Sequence, residues 1–193
     1  MKFRITHTLL SSWIYSMTSD ERYNEFIDYL NRKPTPQTSA MRDGIMFENM
    51  VYAHASGASI PEDCEWRSGI EGVADKIKGS VFQVPLSKDI TVDGVDFHLF
   101  GILDALGAGH IYDVKFSKTY RLNKYFGSTQ HPMYFALCPE ALDFTYVISD
   151  GDYVYTERYY PRDAVPIEYT VHHFMQDLER QKLVDIYAEN FKM

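Results

Sequence analysis

The chain has 193 residues, of which 45% are hydrophobic and 24% charged, with a net charge of −8. That length supports one domain, residues 1–193, with a full core, and is short for two. The two cysteines, Cys64 and Cys138, are far apart with no C-x-x-C, which excludes a zinc ribbon or an iron–sulfur cluster and fits a reducing cytoplasm. No run approaches the ~20 apolar residues of a membrane span, and the N-terminus does not read as a signal peptide, so no membrane partner is expected.

In chain order, Thr8 to Leu30 reads as helical, with Leu9, Leu10, Trp13, Met17, Phe26, Tyr29 and Leu30 near a 3.6-residue period. Residues 31–39, with Pro34 and Pro36, form a loop. A second helix is expected from about Arg42 to Ala55, with Ile45, Met46, Met50 and Ala53 on one side, and a short one from Ile70 to Lys78. From Val81 the pattern changes to strands. Val92-Asp93-Gly94-Val95 predicts a type I′ hairpin, because Asp-Gly accepts positive φ at both central positions.

The strand Asp96 to Leu106 sets Phe97, Leu99, Gly101, Leu103 and Ala105 on one face and Asp96, His98 and Asp104 on the other. Gly107-Ala108-Gly109-His110 then turns the chain into a strand from Ile111 to Ser117. A two-residue turn pairs Gly107 with His110, and extending that register pairs Asp104 with Asp113, Leu103 with Val114 and Gly101 with Phe116. Two carboxylates face each other, with Lys115 two residues along on the same side. Such a pair costs stability unless a cation sits between them. Helical residues follow to about Leu137, limited upstream by Pro132; Asp143–Ser149 and Tyr153–Tyr160 form a hairpin, and Glu168 to Phe191 a closing helix. The order describes an α/β or α+β domain with a mixed central sheet.

Magnesium and manganese prefer a few hard oxygen ligands and leave room for water and phosphate. Asp104 and Asp113 supply carboxylates, and the Val114 carbonyl adds a neutral ligand. A cation so held activates water for attack on a phosphodiester, with Lys115 orienting or deprotonating that water or offsetting charge. The stretch from Val114 to Pro139 has no acid but contains Lys115, Lys118, Arg121 and Lys124. An acidic chain can hold a phosphate backbone at one such patch, weakly and with strong salt dependence, although a charge run is ordinarily a solvated face.

Taken together, Gly101-x-x-Asp104, Asp113-x-Lys115 and Gln130-x-x-x-Tyr134, preceded by Gly44-Ile-Met-Phe47-Glu48, resemble the RecB-like exonuclease branch of the PD-(D/E)xK nuclease superfamily. The resemblance spans roughly residues 40 to 137. It implies a restriction-endonuclease-like core, αβββαβ, with the site at the forked end of the central strands. It also implies Glu48, Asp104 and Asp113 as metal ligands, Lys115 as the catalytic lysine, and Gln130 and Tyr134 lining the site or contacting DNA. The expected function is Mg²⁺- or Mn²⁺-dependent hydrolysis of DNA at ends or in single strands. A separate helicase or recombination protein is a possible partner, since no motor motif is present. Leu103 replaces the literal proline of the superfamily, and the iron–sulfur cysteines of many relatives are missing. A non-cutting nuclease-fold binding module and an endonuclease of the same superfamily are the alternatives.

Overall fold

The computed structural model describes residues 2–193. Six strands form one mixed sheet: β1 (Lys2–Thr6), β2 (Val81–Val92), β3 (Val95–Gly107), β4 (His110–Phe116), β5 (Asp143–Ser149) and β6 (Val154–Tyr159). The helices are α1 (His7–Ser16), α2 (Asp20–Leu30), α3 (Ser39–Ala55), α4 (Arg67–Lys76), α5 (Gln130–Leu137), α6 (Ile167–Gln181) and α7 (Val184–Phe191). No helix among the described residues is long and apolar enough to cross a membrane.

β3 is the spine. One edge pairs with β2 from Val92↔Val95 to Val81↔Leu106, closed by Asp93 (φ 52°) and Gly94 (φ 78°) as the Asp-Gly turn requires. The other edge is shared. β1 runs parallel to it at Asp96–Phe100, and β4 runs antiparallel only at Ala105–Gly107. Residues 101–104 between them have no ladder partner on that edge. β1 stops there because the Thr6 hydroxyl caps α1, accepting from the Leu9 amide at 3.2 Å, and the chain turns off the sheet with His7 as the first helical residue. β4 continues into parallel pairing with β5.

Two cores cover the two faces. The first joins Leu9, Phe26, Phe97, Leu99, Leu103, Phe144, Phe174 and Tyr187, and brings α1, α2, α5, α6 and α7 onto one side. The second, smaller core joins Phe47, Val51, Ile70, Val73, Ala105, Val114 and Val147 under α3 and α4. Burial of one large apolar side chain contributes about 1.5–3 kcal/mol, so both faces are firmly held.

Three expectations are corrected. Thr8–Leu30 is two helices, broken where Ser19 caps α2 by accepting from the Arg22 amide at 3.2 Å. The closing helix is also two, broken at Lys182 in the left-handed conformation (φ 60°). The helix before Leu137 starts at Gln130, two residues upstream of Pro132, as its limit on the helix start implies, and residues 117–129 are turns and irregular chain. α3 buries Phe47 and Val51 while Ile45 and Met46 are 46% and 50% exposed, because Phe47 stacks on Phe116 with centroids 4.7 Å apart and outweighs the thinner aliphatic stripe. That rotation turns Glu48 and Tyr52, at i and i+4, toward the sheet.

Candidate active site

The β3–β4 hairpin starts in the expected register, Gly107↔His110, but its ladder ends at Ala105↔Tyr112. Leu103 lies in the first core while Val114 and Phe116 belong to the second, so the extrapolated Leu103–Val114 and Gly101–Phe116 contacts do not form. The alternation of β3 changes phase at Asp104: Leu103 enters one core and Ala105 the other. Its neighbour on β2, Gln83, adopts a left-handed φ of 53°. The Asp104 carboxylate takes over the missing ladder acceptor, receiving the Val114 amide on Oδ2 at 2.9 Å. In a strand the N–H and C=O of one residue point to the same edge. The Val114 carbonyl therefore also faces the fork.

Asp113 is 1% exposed. Its Oδ1 accepts from the Gln130 amide group at the start of α5. Its Oδ2 lies 2.5 Å from Lys115 Nζ in an ion pair, but no aligned donor reaches it. The charges are mutually dependent. Burial first, then the carboxylates of Asp113 and Glu48, hold the Asp104 carboxyl well above the usual carboxylate range, against the opposing pull of Lys115 and the Val114 amide. Burial opposes the Lys115 charge, yet the attraction of Asp113 and Asp104 outweighs it and raises the ammonium pKa. Lys115 therefore stays protonated.

Glu48 is half-buried on α3 and its Oε1 accepts from the Tyr52 hydroxyl at 2.6 Å. Tyr52 in turn accepts from Gln83 Nε2 at 3.2 Å and stacks on Phe82. Burial, then the charges of Asp104 and Glu48, raise the Tyr52 phenol, keeping it a donor. Tyr52 was not among the candidate residues, although its i+4 spacing from Glu48 marks it. Among the described residues, no three His, Cys, Asp or Glu side chains form a ready-made metal cage. In this conformation Glu48 neighbours the aspartate pair, with its carboxylate turned to Tyr52.

Gly101 and Tyr134 are linked by packing. Tyr134 donates to the Ile102 carbonyl at 2.8 Å, and its ring lies so close to Gly101 that an added Cβ would overlap it and press on Leu137. Gly101→Ala should therefore displace Tyr134 and the Gln130 end of α5, destabilising the fold by about 1–3 kcal/mol as overpacking does. Chemical denaturation checks this; a wild-type midpoint would show the ring moves freely.

A cleft of about 280 Å³ opens beside Lys115, between α1 and the loop 117–129. His7 and Tyr15 line one wall, Lys124, Tyr125 and Gln130 the other. Lys118 and Arg121 lie on the same loop, exposed and outside the cleft lining, and Lys124 Nζ donates to Ser117 Oγ at 2.8 Å. Buried Glu157 on β6 holds this loop, accepting from the Tyr120 hydroxyl and the amides of Lys124 and Tyr125 at 2.9, 2.9 and 3.2 Å. Sequence reading missed both Glu157 and His7, which have no motif around them. Glu157→Gln should release the loop, seen as faster amide exchange over 118–126, and protection equal to wild type would refute the anchoring role.

The sequence matches no protein-family model and no curated protein. Among solved structures the fold is similar to the crystal structure of SSO0001, with a TM-score of 0.54 and 17% sequence identity, over 94% of this chain and 77% of that one. At that identity the likeness speaks to the fold, a mixed six-stranded sheet with flanking helices.

Proposed function

We propose that this protein is a Mg²⁺- or Mn²⁺-dependent DNA nuclease of the RecB-like exonuclease type, hydrolysing phosphodiesters at DNA ends or in single strands. The observation that carries this reading is the Asp104–Asp113–Lys115 group at the sheet fork, with Asp113 buried and the other two part-exposed. There, burial and the neighbouring Asp113 charge make Asp104 costly to ionise, and Asp113 Oδ2 meets the Lys115 ammonium without an aligned hydrogen bond. The donor set fits a hard divalent cation: Asp104, Asp113 and the Val114 carbonyl, all oxygen, with room left for water and phosphate. Glu48 joins that set once its carboxylate turns from Tyr52.

A cation bound there supplies Lewis acidity and a water of lowered pKa. Gln130 fixes Asp113 Oδ1 and leaves Oδ2 to the fork. Lys115, held beside Asp113, is positioned to set positive charge against the phosphate as negative charge develops on its oxygens. Lys124 in the cleft wall and Lys118 and Arg121 beyond it hold the strand, so binding weakens steeply with salt. The absence of a ready three-acid cage favours one other reading, a nuclease-fold module that binds nucleic acid without cutting.

Linear and covalently closed circular DNA, incubated with Mg²⁺, Mn²⁺ or EDTA, separate these readings. The expected result is metal-dependent loss of linear DNA with circles spared. Cutting of circles would assign an endonuclease, and no metal-dependent cutting would leave the binding module. Mg²⁺ should also raise the melting temperature of the wild type and not that of Asp113→Asn.

A further inference from the structure

A second cavity shares His7 with the cleft beside Lys115. Its volume is about 410 Å³, and it lies where β1 ends against the unpaired edge of β3 at Gly101 and Ile102. Two guanidinium groups face it. Arg4 is half-buried on β1 with its Cζ 4.4 Å from the centre of the Phe100 ring, and Arg32, at the end of α2, lies 3.6 Å over Phe191 at the exposed rim. A guanidinium stacked by its face still needs acceptors for its N–H edge. Arg32 finds one in the Asn190 carbonyl, to which Nε and Nη2 donate at 3.2 and 3.1 Å. Arg4 does not: its Nε is buried without a hydrogen-bond partner. That nitrogen is closed to solvent, so the Nη groups of the same guanidinium, which meet no acceptor among the described residues, are the donors left to a bound anion.

The surroundings favour an anion. Among the described residues neither arginine is ion-paired, and no Asp or Glu lines the cavity. In a chain of net charge −8, two uncompensated arginines in one concavity make a local positive potential. The donors arrive from separate elements, Arg4 from β1, Thr8 from α1 and Arg32 from the end of α2, which suits a tetrahedral oxyanion better than a planar carboxylate.

We propose that this cavity is a phosphate subsite, holding a phosphoryl group of the nucleic acid strand that reaches Asp104, Asp113 and Lys115. The source of the phosphate rests on the nuclease reading; the anion chemistry rests on Arg4 and Arg32 alone. Calorimetric titration with inorganic phosphate in EDTA tests the second independently of the first. The wild type should bind saturably, whereas Arg4→Gln and Arg32→Gln should each bind about tenfold or more weakly, as loss of a charge-assisted bond implies. Arg162→Gln, which removes a side chain stacked on Tyr160 elsewhere on the surface, should bind as wild type. No saturable binding, or unchanged binding by a folded Arg4→Gln variant, overturns the subsite.

Cleavage of linear DNA with and without terminal phosphates identifies the source. A preference for phosphorylated ends that shrinks in Arg4→Gln assigns a terminal phosphate. Equal rates on both substrates, slowed together by Arg4→Gln, assign a backbone phosphate, and equal rates untouched by it refute a role in cleavage. Intact phosphate binding with no cleavage of any DNA would instead refute the nuclease reading and leave the subsite standing.

Discussion

Lys115→Ala should lower metal-dependent DNA cleavage by about 10²–10⁴-fold, the range expected for losing one group that acts on developing charge or proton transfer. The side chain is 31% exposed and its Nζ sits 2.5 Å from an Asp113 that is almost fully buried. Its removal leaves that carboxylate without a counter-charge, so the metal-free variant should also lose roughly 2–4 kcal/mol of stability, somewhat below the full cost of breaking a buried pair because Lys115 is partly hydrated. The two effects separate on adding Mg²⁺. Lys115 competes with a cation for Asp113 Oδ2, so the variant should gain more in melting temperature from Mg²⁺ than the wild type while remaining inactive. Wild-type cleavage by Lys115→Ala would remove the lysine from the chemistry. An Mg²⁺ shift no larger than wild type would place the cation elsewhere than Asp113.

What could be read from the sequence was what local pattern decides. The Asp93-Gly94 turn, the buried Phe97, Leu99 and Leu103, and the start of the next hairpin at Gly107↔His110 all follow from alternation and turn chemistry. Extending that register pairs Asp104 with Asp113, but the ladder ends at Ala105↔Tyr112. A side-chain acceptor, Asp104 Oδ2, captures the Val114 amide and lets β4 leave the ladder, an event no periodicity encodes. The structure nonetheless brings the two acids and Lys115 within electrostatic reach of one another, by a fork rather than a ladder.

Other features depend on contacts far apart in sequence. β1 is a five-residue parallel strand whose pairing to Asp96–Phe100 has no local signal, and with it goes the placement of Arg4 and His7. The buried face of α3 was misassigned because Phe47 found Phe116 and Trp66, both distant in the chain. Gly101 and Tyr134 were matched as motif letters, and only the packing of the ring on the glycine backbone explains why the two occur together.

Stability should fall as the pH is lowered from 6.5, through two histidines held neutral by the fold. Burial, then the charges of Lys115 and His131, push His7 down to about 3; burial pushes His131 down to about 4. Each has a folded pKa below its unfolded value. Above pH 6.5 both states are neutral and nothing is lost. Below it the unfolded chain takes up protons that the folded chain refuses, and the loss is complete only once the pH passes the folded values. At pH 5 each site costs about 2 kcal/mol, being about 1.5 pH units below the unfolded pKa. Asp104 works in the opposite sense, since its raised folded pKa favours the protonated carboxyl and offsets part of the loss at acid pH. His131 can be tested alone. It stacks on Tyr159 with centroids 4.2 Å apart and planes at 10°, a geometry phenylalanine preserves. Urea unfolding of His131→Phe and wild type at pH 8 and pH 5 should show the variant less acid-sensitive by about 2 kcal/mol. Equal losses in the two proteins would mean that His131 is protonated in the fold, and that water reaches a ring packed between Tyr146 and Tyr159.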